Sequence, residues 1–166
     1  MGNFRESSSL TVGGWFTMTK SYVISNTPRY AKWKGLFTYF IQNGHSCKAT
    51  FPGDEKDQSE GFLTKGKKSF LSLQDVTVTK SNGIGESIEV RARLNEECKA
   101  LLLSLQEPSF AGHMPELWSF EISSPTGTRL KVEDFTVCLL ELDDLTSATL
   151  RELGFISSPD VEEIVP

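Results

Sequence analysis

One segment of the chain comes close to the glycine and lysine spacing of a nucleotide-binding loop. It reads GFLTKGKKS and covers residues 61–69. A phosphate-binding loop follows a β-strand and places Ser or Thr directly after its Gly-Lys pair, because that hydroxyl binds Mg²⁺. Here Lys68 occupies the hydroxyl position, and an acidic segment precedes the first glycine. The segment therefore indicates a basic surface rather than a nucleotide site.

Histidine and cysteine, which are suited to metal binding and nucleophilic catalysis, are few and widely spaced. The chain has Cys47, Cys98 and Cys138, together with only His45 and His113. No third ligand and no orienting carboxylate stands at a motif spacing from His45 and Cys47. An odd number of cysteines without a CxxC pair also argues against a zinc site or a disulfide scaffold. We expect reduced, mostly buried thiols and no metal ion.

Two pairs of adjacent acidic residues are the remaining candidates for acid–base chemistry. They are Glu133 with Asp134 and Asp143 with Asp144. Neighbouring carboxylates on a strand point to opposite faces, so they do not converge on one substrate. Asp144 is better explained as the N-cap of a helix. We therefore expect no catalytic site, no enzymatic activity and no cofactor.

Length and composition predict one α+β domain. The chain has 166 residues, of which 38% are hydrophobic, and this is enough for one core without disulfides. No apolar run approaches the about 20 residues that span a bilayer, so we expect neither a membrane span nor a secretory segment. We predict a flexible N-terminal tail over residues 1–9 and a single domain over 10–155. An exposed loop over 52–69 and a C-terminal tail over 156–166 complete the predicted organisation.

Residues 30–51 form the densest aromatic and apolar stretch of the chain. Thr27 is a suitable N-cap, Pro28 suits the first helical position, and Asn43 with Gly44 supplies a left-handed helix stop. The apolar side chains recur at the spacing of one helical face: Tyr30, Trp33, Leu36, Phe37, Phe40 and Ile41. Rings at this spacing are more typical of a core than of a base-stacking surface. We predict an aromatic central helix that packs against an antiparallel β-sheet, with two shorter helices beside it.

Alternating apolar and polar residues predict the strands of that sheet. The predicted strands cover residues 10–25, 70–80 with a β-bulge, 88–94, 118–122 and 130–142. The second and third of these form a hairpin across the turn at Asn82-Gly83. Asn95 is the predicted N-cap of one shorter helix, and Asp144 is the predicted N-cap of the other, which Gly154 closes.

Charge is divided unevenly along the chain. Residues 1–80 carry 11 Lys and Arg against 6 Asp and Glu, a balance of +5, whereas residues 81–166 carry 6 against 16, a balance of −10. This polarity suits contact of the first half with phosphates, although ordinary solvated faces explain it as well. The candidate anionic-partner surface combines the start of the aromatic helix with the charged loop. Its residues are Arg29, Lys32, Lys34, Lys65, Lys67 and Lys68.

Three segments follow one another as helix into strand, strand into helix, and hairpin. They are residues 32–51 (KWKGLFTYFIQNGHSCKATF), 85–105 (GESIEVRARLNEECKALLLSL) and 117–139. In this order they resemble the matrix proteins of rhabdoviruses, in which an aromatic helix precedes a β-pair, a helix and a final hairpin. The resemblance covers under half of the chain. The short length is closest to the compact matrix proteins of plant-infecting cytorhabdoviruses.

The resemblance implies a non-enzymatic structural protein of the virion, located also in the host cytoplasm and peripherally on membranes. Such a protein self-associates, condenses the viral nucleocapsid and bridges it to an anionic membrane surface or a glycoprotein tail during assembly. Many family members carry a Lys-rich arm and a Pro-Pro-x-Tyr motif, and residues 1–30 contain neither. The basic surface would then supply the anionic contacts. Loop 52–69 or the tails are the expected sites of self-association, because the uneven charge allows an open-ended contact between copies.

A second hypothesis is a small single-stranded nucleic-acid-binding barrel of the OB type. The run of β segments beside Arg91 and Arg93 favours it, and the acidic residues 160–166 would recruit partners. Three helices interrupt those segments, and no strand interleaves basic with aromatic residues. Nucleic acid is accordingly a further candidate partner.

Overall fold

The computed structural model describes residues 19–53, 65–81, 86–105, 117–133 and 136–164. Within these ranges the chain forms one eight-stranded antiparallel sheet and four α-helices, so the predicted α+β class is confirmed. The strands are β1 (Lys20–Ile24), β2 (Ser46–Pro52), β3 (Thr77–Ser81), β4 (Ser87–Arg93), β5 (Ser119–Ser123), β6 (Arg129–Glu133), β7 (Val137–Leu142) and β8 (Val161–Ile164). The helices are α1 (Trp33–Asn43), α2 (Lys65–Leu71), α3 (Glu96–Leu105) and α4 (Asp144–Glu152). None of the helices in these ranges has the length and apolar character needed to cross a membrane.

The strand order across the sheet is β3-β4-β2-β5-β6-β7-β1-β8, and every described neighbour pair is antiparallel. Strand β1 is the first of the described strands along the chain but lies between β7 and β8, the last two of them. The sheet therefore joins the beginning and the end of the described chain.

Two rows of buried side chains cross six neighbouring strands on the face that the helices cover. One row consists of Ala92, Cys47, Ile122, Leu130, Leu140 and Tyr22. The other consists of Val90, Ala49, Phe120, Val132, Cys138 and Ile24. Alternate residues of a strand point to opposite faces, so the other face carries mostly polar side chains, with the half-buried Val23, Val137 and Leu139 as exceptions. Lys48 and Glu121 pair there at 3.0 Å.

Helix α1 packs its aromatic face onto this core. Its buried residues are Trp33, Leu36, Phe37, Phe40 and Ile41. The rings of Trp33 and Phe37 are stacked with centroids 5.2 Å apart, and the Phe37 ring meets that of Phe120 on β5 edge-on at 5.6 Å. Such edge-to-face and offset contacts add to the free energy gained by burying the rings.

The ends of α1 differ from the prediction. Thr27 lies in a short 3₁₀ turn (Thr27–Arg29), its hydroxyl donates to the Ile24 carbonyl, and α1 begins only at Trp33. Thr27 is therefore not the N-cap. Gly44 has extended rather than left-handed backbone. A Cβ on Gly44 would come within 2.7 Å of the Ile122 side chain, so close packing on the sheet requires this glycine.

The predicted loop 52–69 and the predicted strand 70–80 are partly wrong. Helix α2 occupies residues 65–71, and only 77–81 form strand β3. Phe70 is fully buried, and its ring centroid lies 5.9 Å from that of Phe51 on β2. The lysines of this segment suggested an exposed loop. Apolar contact between Phe70 and the sheet instead stabilises the segment as a helix. Residues 54–64 lie outside the described ranges.

Two further predictions near the end of the chain are wrong. The single strand predicted over residues 130–142 is a hairpin of β6 and β7, in which the Thr136 amide donates to the Glu133 carbonyl. The predicted tail 156–166 contains β8, which pairs with β1. Ladder hydrogen bonds to a strand more than 130 residues earlier stabilise β8, and such a partner leaves no local pattern.

Several local predictions are confirmed. Strands β3 and β4 pair as predicted, and the Asn95 side chain accepts the Cys98 amide at 2.9 Å at the start of α3. The sequence Ser124-Pro125-Thr126-Gly127 predicts a turn, and Gly127 in this turn between β5 and β6 has a positive φ of 87°. The predicted tail 1–9 and the strand residues before 19 lie outside the described ranges.

Helix α4 links the first and last strands. The Tyr22 hydroxyl shares a hydrogen bond of 2.9 Å with the Ser147 hydroxyl and accepts one of 3.0 Å from Arg151 Nη2. The same guanidinium nitrogen donates to Glu163 on β8 at 2.8 Å. Buried polar groups need such partners, so this network fixes α4 over β1.

The described sheet differs from the one expected for the OB-type alternative. An OB fold is a five-stranded, partly open barrel that presents aromatic side chains on its strands. The described residues instead form one eight-stranded sheet, and Phe120, an aromatic residue on its strands, is buried under α1. The described strands therefore give no support to a base-stacking surface.

Truncation of the aromatic contact between α1 and the sheet should destabilise the domain. We expect Phe37→Ala to lower the free energy of unfolding by about 3–5 kcal/mol, because it removes a ring that is 1% exposed and leaves a cavity. Chemical denaturation followed by circular dichroism measures the change. The control Leu145→Ala, at a side chain that is 79% exposed, should leave stability nearly unchanged. Equal effects of the two substitutions would show that α1 does not anchor the core.

Candidate functional site

The basic residues at the start of α1 form the first part of the predicted anionic-partner surface. Arg29 ends the 3₁₀ turn, and Arg29, Lys32 and Lys34 are all exposed. The Lys32 ammonium donates to the Gly154 carbonyl at 2.5 Å, just after α4. The structure therefore holds Lys32 in place and keeps the Arg29 guanidinium at the surface. We call Arg29, Lys32 and Lys34 the α1 basic group.

The second part of the predicted surface lies on α2 rather than in a loop. Lys65 is the first residue of this helix, and Lys67 and Lys68 follow in its first turn. The Lys67 ammonium donates to the Pro52 carbonyl at the end of β2, at 3.0 Å, and Lys68 is exposed. Because the Lys67 ammonium binds a backbone carbonyl, it is not positioned as the phosphate-binding lysine of a nucleotide site. We call Lys67 and Lys68 the α2 basic group.

The described contacts do not join the two basic groups into one face. Lys32 is tied to the chain after α4, whereas Lys67 is tied to the end of β2. Helix α3 packs against both α1 and α2. The sequence identified exposed cations, and the described contacts tie Lys32 and Lys67 to different elements.

The thiols are unsuited to nucleophilic chemistry. Cys47, Cys98 and Cys138 are buried, as predicted, and all three are free thiols. Burial raises the pKa of the Cys98 thiol to about 11, and it also raises the pKa of the Cys47 and Cys138 thiols above the ordinary value. The thiolate is the reactive form, so these groups are inert at neutral pH. His45 is exposed at the entrance to β2.

The paired acids have structural partners. Glu133 forms an ion pair with Lys131, and Asp144 pairs with Lys20 at 3.0 Å. Asp134 and His113 lie outside the described ranges. Across the part of the chain that the structure describes, no group of three or more His, Cys, Asp or Glu side chains could hold a metal ion.

Asp143, rather than the predicted Asp144, is the N-cap of α4. Its Oδ1 accepts the Thr146 amide at 2.7 Å, while its Oδ2 accepts the Thr128 hydroxyl at 2.9 Å and the Thr126 hydroxyl at 3.2 Å. Both aspartates fit the local capping pattern. The hydroxyls from the β5–β6 turn, which is remote in sequence, distinguish Asp143.

The hydrogen bonds to Asp143 also set its protonation. Burial alone would raise the pKa of this carboxyl, but the bonds from Thr146, Thr128 and Thr126 outweigh burial and hold the pKa below its ordinary value of 3.8. Asp143 is therefore ionised at neutral pH. The sequence shows the hydroxyls only as part of a turn, SSPTGT over residues 123–128.

The two outer strands of the sheet are accessible. Thr77, Val78, Thr79 and Lys80 of β3 are exposed, and so are Glu162, Glu163 and Ile164 of β8. No described strand pairs with the outer side of either one. Backbone N–H and C=O groups on such an edge are available to another strand. The β3 edge carries a lysine, and the β8 edge carries two glutamates.

Loss of the Asp143 cap should destabilise α4 in a pH-dependent way. We expect Asp143→Ala to cost about 1 kcal/mol at pH 7, the usual loss for an N-cap, or about 2–4 °C in Tm. The folded-state pKa is lowered, so the stabilisation is present above pH 3.8 and is lost as pH falls through the folded-state value. The difference in Tm between wild type and variant should therefore shrink below pH 3.8. Asp144→Ala is the matched control and should change Tm little; a larger loss from it would identify Asp144 as the cap.

Comparison with known proteins identifies no relative. No protein-family model matches the chain, and neither a curated protein nor a solved structure shows significant similarity to it. The resemblance to rhabdovirus matrix proteins therefore stays a prediction, and the geometry of the sheet edges and basic groups is the basis for a functional proposal.

Proposed function

We propose that this chain is a non-enzymatic, viral-matrix-like structural protein that self-associates, condenses a nucleocapsid and bridges it to a membrane during assembly. The observation that carries the proposal is the pair of accessible edge strands, β3 and β8, at opposite ends of one sheet. Nothing about this arrangement requires a cofactor.

Self-association follows from the geometry of the two edges. If β3 of one copy pairs with β8 of the next, the contact is heterologous, because each copy uses a different surface on each side. Repetition of such a contact builds an open array instead of a closed dimer. Opposite charges favour it, since Lys80 lies on β3 and Glu162 lies on β8.

In this proposal α1 is the central helix of the domain and keeps the sheet rigid enough to form arrays. Its support is the packing of the aromatic face of α1 on β5 and against α3. The α1 and α2 basic groups then face the anionic partners, which are the nucleocapsid and the membrane surface. Exposed cations near an anionic membrane contribute about 1 kcal/mol each, so several give reversible attachment.

Edge pairing should respond to charge exchange between β3 and β8. We expect Lys80→Glu to weaken self-association at low salt by about tenfold, because both edges become acidic. Adding Glu162→Lys in the same chain should restore it, since a glutamate on one copy again meets a lysine on the next. Static light scattering across protein concentration and salt measures the association of the full chain.

The control for this exchange is Arg93→Glu, which makes the same charge change on β4, beyond the residues of that strand that pair with β3. It should leave association unchanged. A wild-type chain that stays monomeric at every low-salt concentration would rule out self-association, and failure of the double exchange to restore it would rule out the edge contact.

Anionic-partner binding should depend on the exposed cations of both basic groups. We expect Arg29→Glu combined with Lys68→Glu to reduce flotation with anionic vesicles by about thirtyfold or more at low salt, with Tm nearly unchanged. Each single reversal is compared with Arg93→Glu, which should float like wild type. If the double variant floats like wild type, the membrane-binding surface lies elsewhere.

A further inference from the structure

A cavity of about 230 Å³ opens between the C-terminal end of α1, the β5–β6 turn and the start of α4. Its size is several times the about 30 Å³ that one water molecule occupies in the liquid. Hydroxyl groups and aromatic rings make up much of its wall, which includes Tyr39, Phe40, Ser124, Thr126, Thr128 and Thr146. The cavity is separate from the edge strands and basic groups, so its ligand is independent of the proposed function.

The hydrogen bonds in the wall fix the direction of three hydroxyl groups. Thr126 and Thr128 each donate their only hydroxyl proton to Asp143 Oδ2. The Ser124 and Thr126 hydroxyl oxygens lie 2.7 Å apart, and Ser124 is the donor when the Thr126 proton lies on Asp143 Oδ2. With their protons committed, all three oxygens can only accept a further hydrogen bond. This side of the cavity is therefore a wall of acceptors.

The electrostatics of the cavity favour a cation. Asp143 lies behind the hydroxyls as an ionised carboxylate, and the C-terminal end of α1, with its partly negative carbonyls, forms another part of the wall. No Lys or Arg is among the described lining residues. The start of α4 does not attract an anion, since Asp143 already accepts the Thr146 amide.

The charge of Asp143 also affects the Tyr39 hydroxyl. Burial, and after it the charge of Asp143, raises the pKa of the Tyr39 hydroxyl above its ordinary value, so Tyr39 stays protonated. Its ring meets that of Phe40 edge-on, with centroids 5.8 Å apart. Together the two rings give the cavity an apolar part beside the hydroxyl acceptors. Aromatic faces also attract organic cations.

We propose that this cavity binds a protonated primary amine carried on a short alkyl chain. The three N–H groups of an ammonium match the acceptor oxygens of Ser124, Thr126 and Thr128, and the methylene groups fit against Tyr39 and Phe40. A divalent metal fits poorly, because such ions prefer several carboxylate or carbonyl ligands and the one carboxylate here is shielded by hydroxyls. The amine belongs either to a free small molecule or to a lysine side chain of a partner.

Nuclear magnetic resonance of the ¹⁵N-labelled full chain in about 150 mM NaCl, a salt level that screens exposed charges, tests the assignment. The probes are n-butylammonium and Nα-acetyl-lysine N-methylamide, with 1-butanol and glucose as neutral controls. We expect the ammonium probes to shift the amide signals of residues 124–128 and 146, with Kd in the millimolar range, and the neutral probes to leave them unchanged. Tighter binding of the lysine derivative would assign the cavity to a protein partner, and tighter binding of n-butylammonium would assign it to a free amine.

Two variants separate recognition from folding. Thr126→Val removes an exposed hydroxyl acceptor, and Asp143→Asn keeps a capping oxygen while removing the charge. Each should weaken ammonium binding about tenfold, while Thr77→Val, at an exposed position on β3, should have no effect. The proposal is overturned if 1-butanol binds as well as the ammonium, if glucose alone binds, if no probe binds, or if Thr126→Val binds the ammonium like wild type.

Discussion

The register of the two apolar rows determines which side chains the sheet buries and which it exposes. A shift of one residue in any of the six strands would move its buried side chains to the opposite face. Register on the covered face also fixes the open face, where Arg129 meets Glu141 at 3.5 Å as Lys48 meets Glu121. The Arg129–Glu141 pair, which is about half exposed, contributes little to stability by itself. Burial of the apolar rows selects the sheet, and the polar face is a result of that selection.

The elements that the sequence predicts correctly are those with local signals. Strand β4 alternates cleanly, Asn95 caps α3 through its own side chain, and Gly127 has the positive φ that its turn needs. The elements that it misses depend on remote partners. Helix α2 looks like a charged loop until Phe70 packs on Phe51, and β8 looks like a tail until it pairs with β1. Local pattern says nothing about either partner.

The candidate sites divide in the same way. Sequence reasoning identified the individual cations, because exposure of Lys and Arg is the usual state. Their arrangement depends on where Lys32 and Lys67 find backbone carbonyls, at Gly154 and Pro52, and no spacing rule predicts that. The hydroxyl cluster around Asp143 was missed for a related reason. It brings together two segments 15 or more residues apart, and each has an ordinary local explanation as a turn or a cap.

The position of β1 has a consequence for how the protein is made. Its residues pair with 138–142 and 161–164, so its partners are synthesised more than 110 residues after it. During translation Tyr22 and Ile24 therefore stay unpaired and exposed until residues 138–142 and 161–164 leave the ribosome. Contacts of such long sequence separation slow folding and prolong exposure to aggregation. Pairing of β1 with β7 and β8 is therefore expected to be a late step in folding. Strands β2, β3 and β4, which pair with one another, can form their part of the sheet well before it.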